Sequence, residues 1–118
     1  MELREMYGQN KLSPKKHLVS EGLKMGKNFQ QLADELKVAQ ATAEVYGIDC
    51  LAAGLDMDHQ TMAKYLAISV ESFERIKGEI MSSNDRRLHT VRDNLEEFSY
   101  NQIRFVLACQ IHDQTCNL

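Results

Sequence analysis

The stretch LADELKVAQATAEVY, residues 32–46, carries apolar residues at the spacing of two short helices joined by a turn. A Leu-Ala pair is followed three residues later by Leu36, and Val38 comes directly after the expected turn. This is the pattern of a helix-turn-helix, whose DNA-binding versions contact bases with the first residues of the second helix. Here those positions hold alanine, glutamine and alanine, with Glu44 one turn further on, and none is cationic.

The pattern recurs with a period of thirty residues. The second copy is MAKYLAISVESFERI, residues 62–76, and a partial third copy is FSYNQIRFV, residues 98–106. Before its turn the third copy is weaker, because Leu95 matches only after the insertion of one residue. A single hairpin cannot bury its own apolar stripe, so the repeat predicts hairpins that cover one another. The recurring apolar positions are Val38, Ile68 and Phe98, then Ala43, Phe73 and Ile103, then Tyr46, Ile76 and Val106.

Capping residues stand where this repeat predicts helix ends. Ser13-Pro14 is typical of an N-cap followed by a proline at the first helical position, and Gly26 is typical of the glycine that ends such a helix. The other helix starts are predicted at Asn28 with Gln31 three residues on, at Asp58, at Ser69, near Asp85, and at Ser99 with Gln102.

Together these patterns predict an all-α fold of about seven short helices, in which a leading helix precedes three stacked helix-turn-helix hairpins. We expect residues 1–12 to form an N-terminal extension, residues 13–112 a single helical domain, and residues 113–118 a C-terminal tail. The predicted core consists of Leu32, Leu36, Val38, Tyr46, Leu51, Met62, Leu66, Ile68, Phe73, Ile76, Ile80, Leu88, Val91, Leu95, Phe98, Ile103, Val106 and Leu107.

Composition limits the class of protein. The 118 residues are 43% hydrophobic and 26% charged, which suits one globular domain that buries a core without disulfides. No apolar run approaches the length of a membrane span, and the N-terminal segment does not have the pattern of a secretory signal. Three cysteines are too few, and odd in number, for a disulfide framework. They favour a reducing, intracellular compartment, which would be the nucleus in a eukaryote.

Charge is distributed unevenly, although its net value is only −3. Residues 1–27 carry six basic and three acidic side chains, whereas residues 34–58 carry Lys37 against six acidic ones. Because phosphate is repelled by the acidic segment, nucleic-acid contact is expected outside it. The candidate nucleic-acid-binding residues are Lys11, Lys15, Lys16, Lys24 and Lys27 with His17 around the leading helix, and Lys64, Arg75, Lys77, Arg86, Arg87 and Arg92 in the second and third copies.

The segments GKNFQQLADELKVAQATAEVYGIDCLAAG, residues 26–54, and FSYNQIRFVLA, residues 98–108, resemble the helix-turn-helix domain at the C-terminal end of RecQ-type DNA helicases, including the Werner type. The resemblance covers roughly residues 13–110 and implies an accessory module beside a helicase. The matching residues are Gly26, the pair Leu32-Ala33, Thr42, Gly54, and the run of Tyr100, Ile103, Arg104, Leu107 and Ala108.

Two features depart from that family's pattern. Lys37 occupies the turn position where glycine is favoured, and a left-handed backbone there costs a lysine about 1 kcal/mol. The second helix of the first hairpin lacks cationic residues, so we expect Gln40, its strongest base-contacting candidate, to be dispensable for any DNA binding.

We also expect Arg104 to pair with a carboxylate such as Glu97 rather than with a ligand.

No catalytic motif is evident, because the chain has no phosphate-binding loop, nucleophile elbow or His-Glu-x-x-His sequence. The prediction is therefore a protein that is not an enzyme and needs no cofactor. CQIHDQTC, residues 109–116, offers one alternative, since Cys109, His112 and Cys116 would share a helix face and could bind zinc. A fourth ligand is not evident and Cys109 follows an apolar run, so we predict no metal site.

Two functions remain open from the sequence. One is weak, sequence-independent binding of DNA or RNA through the basic groups. The other is a protein-interaction scaffold built from the stacked hairpins, without nucleic-acid contact. A continuous positive surface would favour the first, and an exposed apolar groove would favour the second.

Overall fold

The computed structural model describes residues 3–8, 11–82 and 88–116 of the chain. Within these ranges every regular element is an α-helix and no strand occurs, which confirms the predicted all-α class. No helix in the described ranges is both long enough and apolar enough to cross a membrane. The helices are α1 (Leu3–Tyr7), α2 (Pro14–Lys24), α3 (Phe29–Leu36), α4 (Gln40–Ala52), α5 (His59–Tyr65), α6 (Val70–Ser82), α7 (Leu88–Asn94) and α8 (Tyr100–Cys116).

The period of thirty residues is visible in the helix boundaries. Helices α4 and α6 cover Gln40–Ala52 and Val70–Ser82, a shift of thirty at both ends. Helices α3 and α5 begin at Phe29 and His59, and α8 begins at Tyr100, thirty residues after α6. The three predicted hairpins are therefore α3–α4, α5–α6 and α7–α8.

The turns of the first two hairpins share one backbone conformation. Lys37 and Ala67 both have a left-handed backbone, with φ of 57° and 58°. In both turns the next amide donates to the carbonyl oxygen five residues earlier, at 3.0 Å from Val38 and 2.9 Å from Ile68. This bond satisfies carbonyl groups that the end of the first helix leaves unpaired. Lys37 thus adopts the strained conformation that its place in the sequence implied.

Lys37→Gly is expected to raise the free energy of unfolding by about 0.5–1 kcal/mol, because glycine adopts a left-handed backbone without steric strain. The greater freedom of glycine in the unfolded chain limits this gain. Lys77→Gly, on the exposed side of α6, is the matched control and should lose about 1 kcal/mol. Urea denaturation measures both changes, and a less stable Lys37→Gly variant would show that the turn does not strain its lysine.

The expected caps are present at the described helix starts. Ser13 Oγ accepts a hydrogen bond from the amide of Lys16 at 3.4 Å, with Pro14 as the first helical residue. Asn28 and Gln31 form a complete capping box, in which each side chain bonds the other residue's amide. The caps at Asp58, Ser69 and Ser99 and the left-handed glycine at Gly26 are also as expected, and Asp85 lies outside the described residues.

Helices α4 and α8 form the centre of the fold. Helix α4 packs against α2, α3 and α8, and α8 packs against α1, α4, α6 and α7. Both carry apolar residues on several faces, among them Ile48 and Leu51 on α4 and Phe105 and Val106 on α8, all fully buried. A helix that is apolar on most sides must be surrounded by other elements. Helix α8 consequently packs on both α4 and α6, so the third hairpin lies between the first two.

All of the predicted core residues belong to one hydrophobic cluster. Most are buried, and five lie half-buried at its edge: Leu36, Val38, Tyr46, Phe73 and Phe98. Periodicity therefore identified the apolar faces correctly.

Helix α1 belongs to the same core, although its residues lie in the expected N-terminal extension. Leu3, Met6 and Tyr7 are each no more than 6% exposed, and α1 packs against α8. A helix of five residues has too few apolar positions to show a period. The sequence therefore predicted about seven helices, whereas the described ranges contain eight.

Candidate nucleic-acid interface

The first turn of α4, which corresponds to the base-contacting turn of DNA-binding helix-turn-helix proteins, is tied to α8. Asn101 donates from Nδ2 to the carbonyl oxygen of Ala41 at 3.1 Å and to Oε1 of Glu44 at 2.9 Å. Gln40 donates from Nε2 to Oε2 of the same carboxylate at 3.3 Å. A carboxylate here repels phosphate, so these contacts support the prediction that α4 does not read bases.

The first turn of α6 is exposed but not cationic. Val70 is 81% exposed, and the nearby Glu71 and Glu74 are exposed as well. Further along the same outer side, Met81 is 52% exposed. The start of this helix therefore presents apolar and acidic groups, which do not attract a phosphate backbone.

The first turn of α8 presents an aromatic ring beside two guanidinium groups. Tyr100 is 36% exposed, and the Cζ atom of exposed Arg92 lies 5.6 Å from the centre of its ring. The Cζ atom of Arg104 lies at the same distance, and its Nη1 donates to the Tyr100 hydroxyl at 3.5 Å. Exposed aromatic and arginine side chains contact bases and phosphates in sequence-independent binding. We refer to Arg92 and Tyr100 as the Arg92–Tyr100 pair.

Arg104, which contacts Tyr100, is bound on its inner side by the buried carboxylate of Asp49. Asp49 is 6% exposed and pairs with Lys16 Nζ at 2.9 Å and with Arg104 Nη2 at 3.2 Å. It also accepts a hydrogen bond from the hydroxyl of Tyr7, whose ring centre lies 4.1 Å from the Cζ atom of Arg104. Burial, followed by the bond to Asp49, raises the pKa of Tyr7, so its hydroxyl stays protonated and donates. These four residues, the Asp49 cluster, join α1, α2, α4 and α8.

Arg104 pairs with a carboxylate as expected, but the carboxylate is not the suggested Glu97. Arg104 pairs with Asp49 of α4, whereas Glu97 pairs on the surface with Arg75 at 2.7 Å. Glu97 precedes α8 in the hairpin turn, while Arg104 lies one turn into the helix and faces the centre of the fold. Proximity in sequence therefore suggested the wrong carboxylate.

Five of the predicted lysines are exposed and form no ion pair with another described residue: Lys11, Lys15, Lys24, Lys64 and Lys77. Lys15 and Lys24 are nine residues apart on α2. At about 100° per residue this separation places them on opposite sides of the helix. The basic group around the leading helix is therefore divided between two sides of α2.

Three other predicted basic residues, Lys16, Lys27 and Arg75, form ion pairs that differ in exposure. Lys27 and Arg75 form exposed ion pairs, at 2.8 Å with Glu35 and 2.7 Å with Glu97. Exposed pairs stabilise by about 0–1 kcal/mol, so a phosphate can compete for these cations. The side chain of Lys16 is only 15% exposed and belongs to the Asp49 cluster, so its ion pair stabilises the fold and is not accessible to a phosphate. Outside the described residues lie Arg86 and Arg87.

Asp49 and Tyr7 were not identified as site residues from the sequence. Asp49 lay among five other acidic residues of the segment 34–58, and Tyr7 lay in the expected extension. One pattern does distinguish Asp49, since it is the single charge in the otherwise uncharged run VYGIDCLAA, residues 45–53. A charge placed inside an apolar helix predicts a buried partner of opposite sign.

The alternative zinc ligands at the end of α8 are only partly described, as Cys109 and His112. Cys109 is 1% exposed, and burial, followed by the charge of Asp113, raises its pKa, which keeps it a thiol. The thiolate is the form that binds metals. His112 Nε2 lies 3.0 Å from the carbonyl oxygen of Leu55. The side chain of Cys116 lies outside the described part of the chain.

Among known proteins, the chain is similar to a family of helix-turn-helix domains, whose sequence model matches residues 7–107. No curated protein and no solved structure shows significant similarity to it. The match covers the three hairpins except for the last turns of α8. It suggests nucleic-acid binding only in general terms, because helix-turn-helix domains commonly bind DNA.

Proposed function

This chain belongs to the helix-turn-helix domain family, and from that membership we propose that it is a non-enzymatic accessory module that binds nucleic acid weakly and independently of sequence. The helicase-like resemblance of residues 26–54 and 98–108 supports a place beside a helicase or another nucleic-acid enzyme. Such a module adds contact surface and leaves catalysis to its neighbour.

The observation that carries this proposal is the Arg92–Tyr100 pair at the start of α8. Among the second helices of the three hairpins, α4 begins at a turn tied to Asn101, and α6 begins with an exposed valine and two glutamates. Helix α8 alone begins with a partly exposed aromatic ring beside an exposed arginine. An arginine at this place can contact a phosphate, and the ring can contact an unpaired base.

Net charge sets the expected strength of the contact. The chain carries −3 overall, and its exposed lysines are spread over α2, α5, α6 and the segments before α2 and after α3. Attraction to phosphate therefore depends on a few local cations, which gives weak binding that falls steeply with salt. Backbone phosphates carry no sequence information, so the binding should be indifferent to base sequence.

Arg92→Glu is expected to lower the affinity for a fluorescein-labelled single-stranded DNA about tenfold at low salt, because it removes one phosphate contact and adds a repelling charge. The slope of log affinity against log salt should become shallower by about 0.7. Lys37→Glu is the matched control, since it makes the same charge change on an exposed residue of the acidic segment. Fluorescence anisotropy at several salt concentrations measures both variants.

Equal losses in Arg92→Glu and Lys37→Glu would contradict this location, because they would reflect net charge alone. Gln40→Ala is expected to leave the affinity unchanged. Sequence-selective binding that disappears in Gln40→Ala would contradict the proposal in a different way, by showing that α4 reads bases.

A second candidate, a protein-interaction module, is supported by an open groove between α5, α6 and α8. The groove has a volume of about 200 Å³ and is lined in part by Ile68, Phe73 and Phe105, with Val70 exposed at its edge. An apolar surface of this kind suits an apolar side chain from a partner. If the wild-type chain binds neither DNA nor RNA at low salt, this candidate replaces the first.

A further inference from the structure

Two histidines and an aspartate from separate parts of the chain meet where α5 begins. His59 is the first residue of α5, and His112 and Asp113 lie near the end of α8. One ligand atom from each of the three lies within 4.8 Å of the others. The two imidazole rings are 4.8 Å apart between centroids and nearly perpendicular, at 76°. Two nitrogen atoms and a carboxylate oxygen are therefore close enough to be considered as ligands of one ion.

The geometry points to a binding site for one divalent transition-metal ion of the zinc class, held by His59, His112 and Asp113. Imidazole nitrogen and carboxylate oxygen are common zinc ligands, at about 2.0–2.2 Å from the ion. A tetrahedral ion keeps such ligand atoms about 3.3 Å apart. The exposed carboxylate of Asp113 can rotate, so the three ligand atoms, which lie within 4.8 Å of one another, can move towards this arrangement.

The contact of His112 with Leu55 orients the ring as a metal ligand requires. The carbonyl oxygen of Leu55 can only accept, so His112 Nε2, at 3.0 Å, must donate its proton. Metal coordination by this ring would then use its other nitrogen, Nδ1. Metal-bound histidines commonly donate their other ring N–H to a backbone carbonyl in this way, which fixes both tautomer and ring orientation.

The charges around His59 favour a bound cation. Three carboxylates lie close enough to act on its ring, those of Asp113, Asp58 and Asp56. A divalent ion placed beside the two imidazoles would gain from these negative charges.

The site is open to solvent on one side. His59 and Asp113 also line the groove of about 200 Å³ between α5, α6 and α8. Three protein ligands beside such an opening leave a coordination position for water or a small ligand. This ligand set differs from the cysteine-containing alternative considered for residues 109–116, because only His112 is common to both.

The experiment is to strip the full chain of metal and titrate it with Co²⁺ alone, following the visible absorption of the ion and the melting temperature. Wild type is expected to bind one equivalent, to develop the absorption of a cobalt ion with nitrogen and oxygen ligands, and to melt at a higher temperature with the ion. His59→Gln and Asp113→Asn should each weaken binding at least tenfold. His17→Gln, which removes an exposed histidine of α2, should bind like wild type.

Three results would overturn the site. The first is an absence of stoichiometric binding by wild type. The second is binding by His59→Gln or Asp113→Asn that equals wild type. The third is a sulfur-to-cobalt charge-transfer band that is lost in Cys116→Ser, which would assign the ion to thiol ligands. The melting temperature of each variant without metal shows whether it is folded. Asp113 is exposed and asparagine has nearly the same shape as aspartate, so Asp113→Asn still tests the site if another variant unfolds.

Discussion

Replacing Asp49 with alanine is expected to lower the free energy of unfolding by about 3–5 kcal/mol. The carboxylate is 6% exposed and pairs with Lys16 and Arg104, whose side chains are each only 15% exposed. Its removal leaves two cations and the Tyr7 hydroxyl without the acceptor that compensates their burial. Domains of this size have a total stability of about 5–15 kcal/mol, so a large part of it would be lost.

Urea denaturation at pH 7 measures this loss. Glu35→Ala is the matched control, because it removes a carboxylate from the exposed pair with Lys27 and should cost less than about 1 kcal/mol. Asp49→Asn keeps the volume and one acceptor, so it should fall between wild type and Asp49→Ala. A loss below 1 kcal/mol in Asp49→Ala would mean that Lys16 and Arg104 reach water easily and that the Asp49 cluster does not hold the helices together.

Lys16→Glu and Lys15→Glu should behave in opposite ways although they make the same charge change at adjacent positions. Lys16 Nζ lies 2.9 Å from a carboxylate oxygen of Asp49, so a glutamate there places two carboxylates together in a poorly solvated position. We expect a loss of about 3–5 kcal/mol. Lys15 is exposed, and Lys15→Glu should change stability by less than about 0.5 kcal/mol.

Urea denaturation and DNA anisotropy on the same samples separate the two residues. Lys15→Glu should remain folded and bind DNA more weakly, whereas Lys16→Glu should be destabilised at every salt concentration. A stable Lys16→Glu variant that specifically loses DNA binding would contradict this assignment and return Lys16 to the binding surface. A variant that replaces several lysines of α2 with glutamate should therefore keep Lys16, because otherwise a loss of DNA binding could result from unfolding.

Much of the fold could be predicted because its determinants are local. The caps at Ser13, Asn28 and Ser99 act within three residues of the chain, and apolar spacing identifies the face of a helix from its own sequence. The left-handed turns at Lys37 and Ala67 follow from the same repeat. Helix α1 was not predicted, because five residues are too few to show a period in their apolar positions.

The candidate sites were less accessible from sequence because their residues are distant along the chain. Tyr7, Asp49 and Arg104 meet only when three helices pack together. His59 and His112 are likewise on different helices, and no spacing rule connects them. The basic residues were easy to identify, but whether a lysine faces solvent or a buried carboxylate depends on its neighbours in space, as the contrast between Lys15 and Lys16 shows.

The sequence by itself determined the helical class, the positions of most helix ends and turns, and the apolar residues that form the core. Each depends on hydrogen bonds or side-chain spacing within a few residues. Tertiary structure alone decided that α8 packs on both α4 and α6, and therefore which charged and metal-binding side chains meet. Helices α4 and α8 are apolar on several faces, and burial energy has no direction, so a single chain offers several pairings. Only the packing of all the helices together selects one of them.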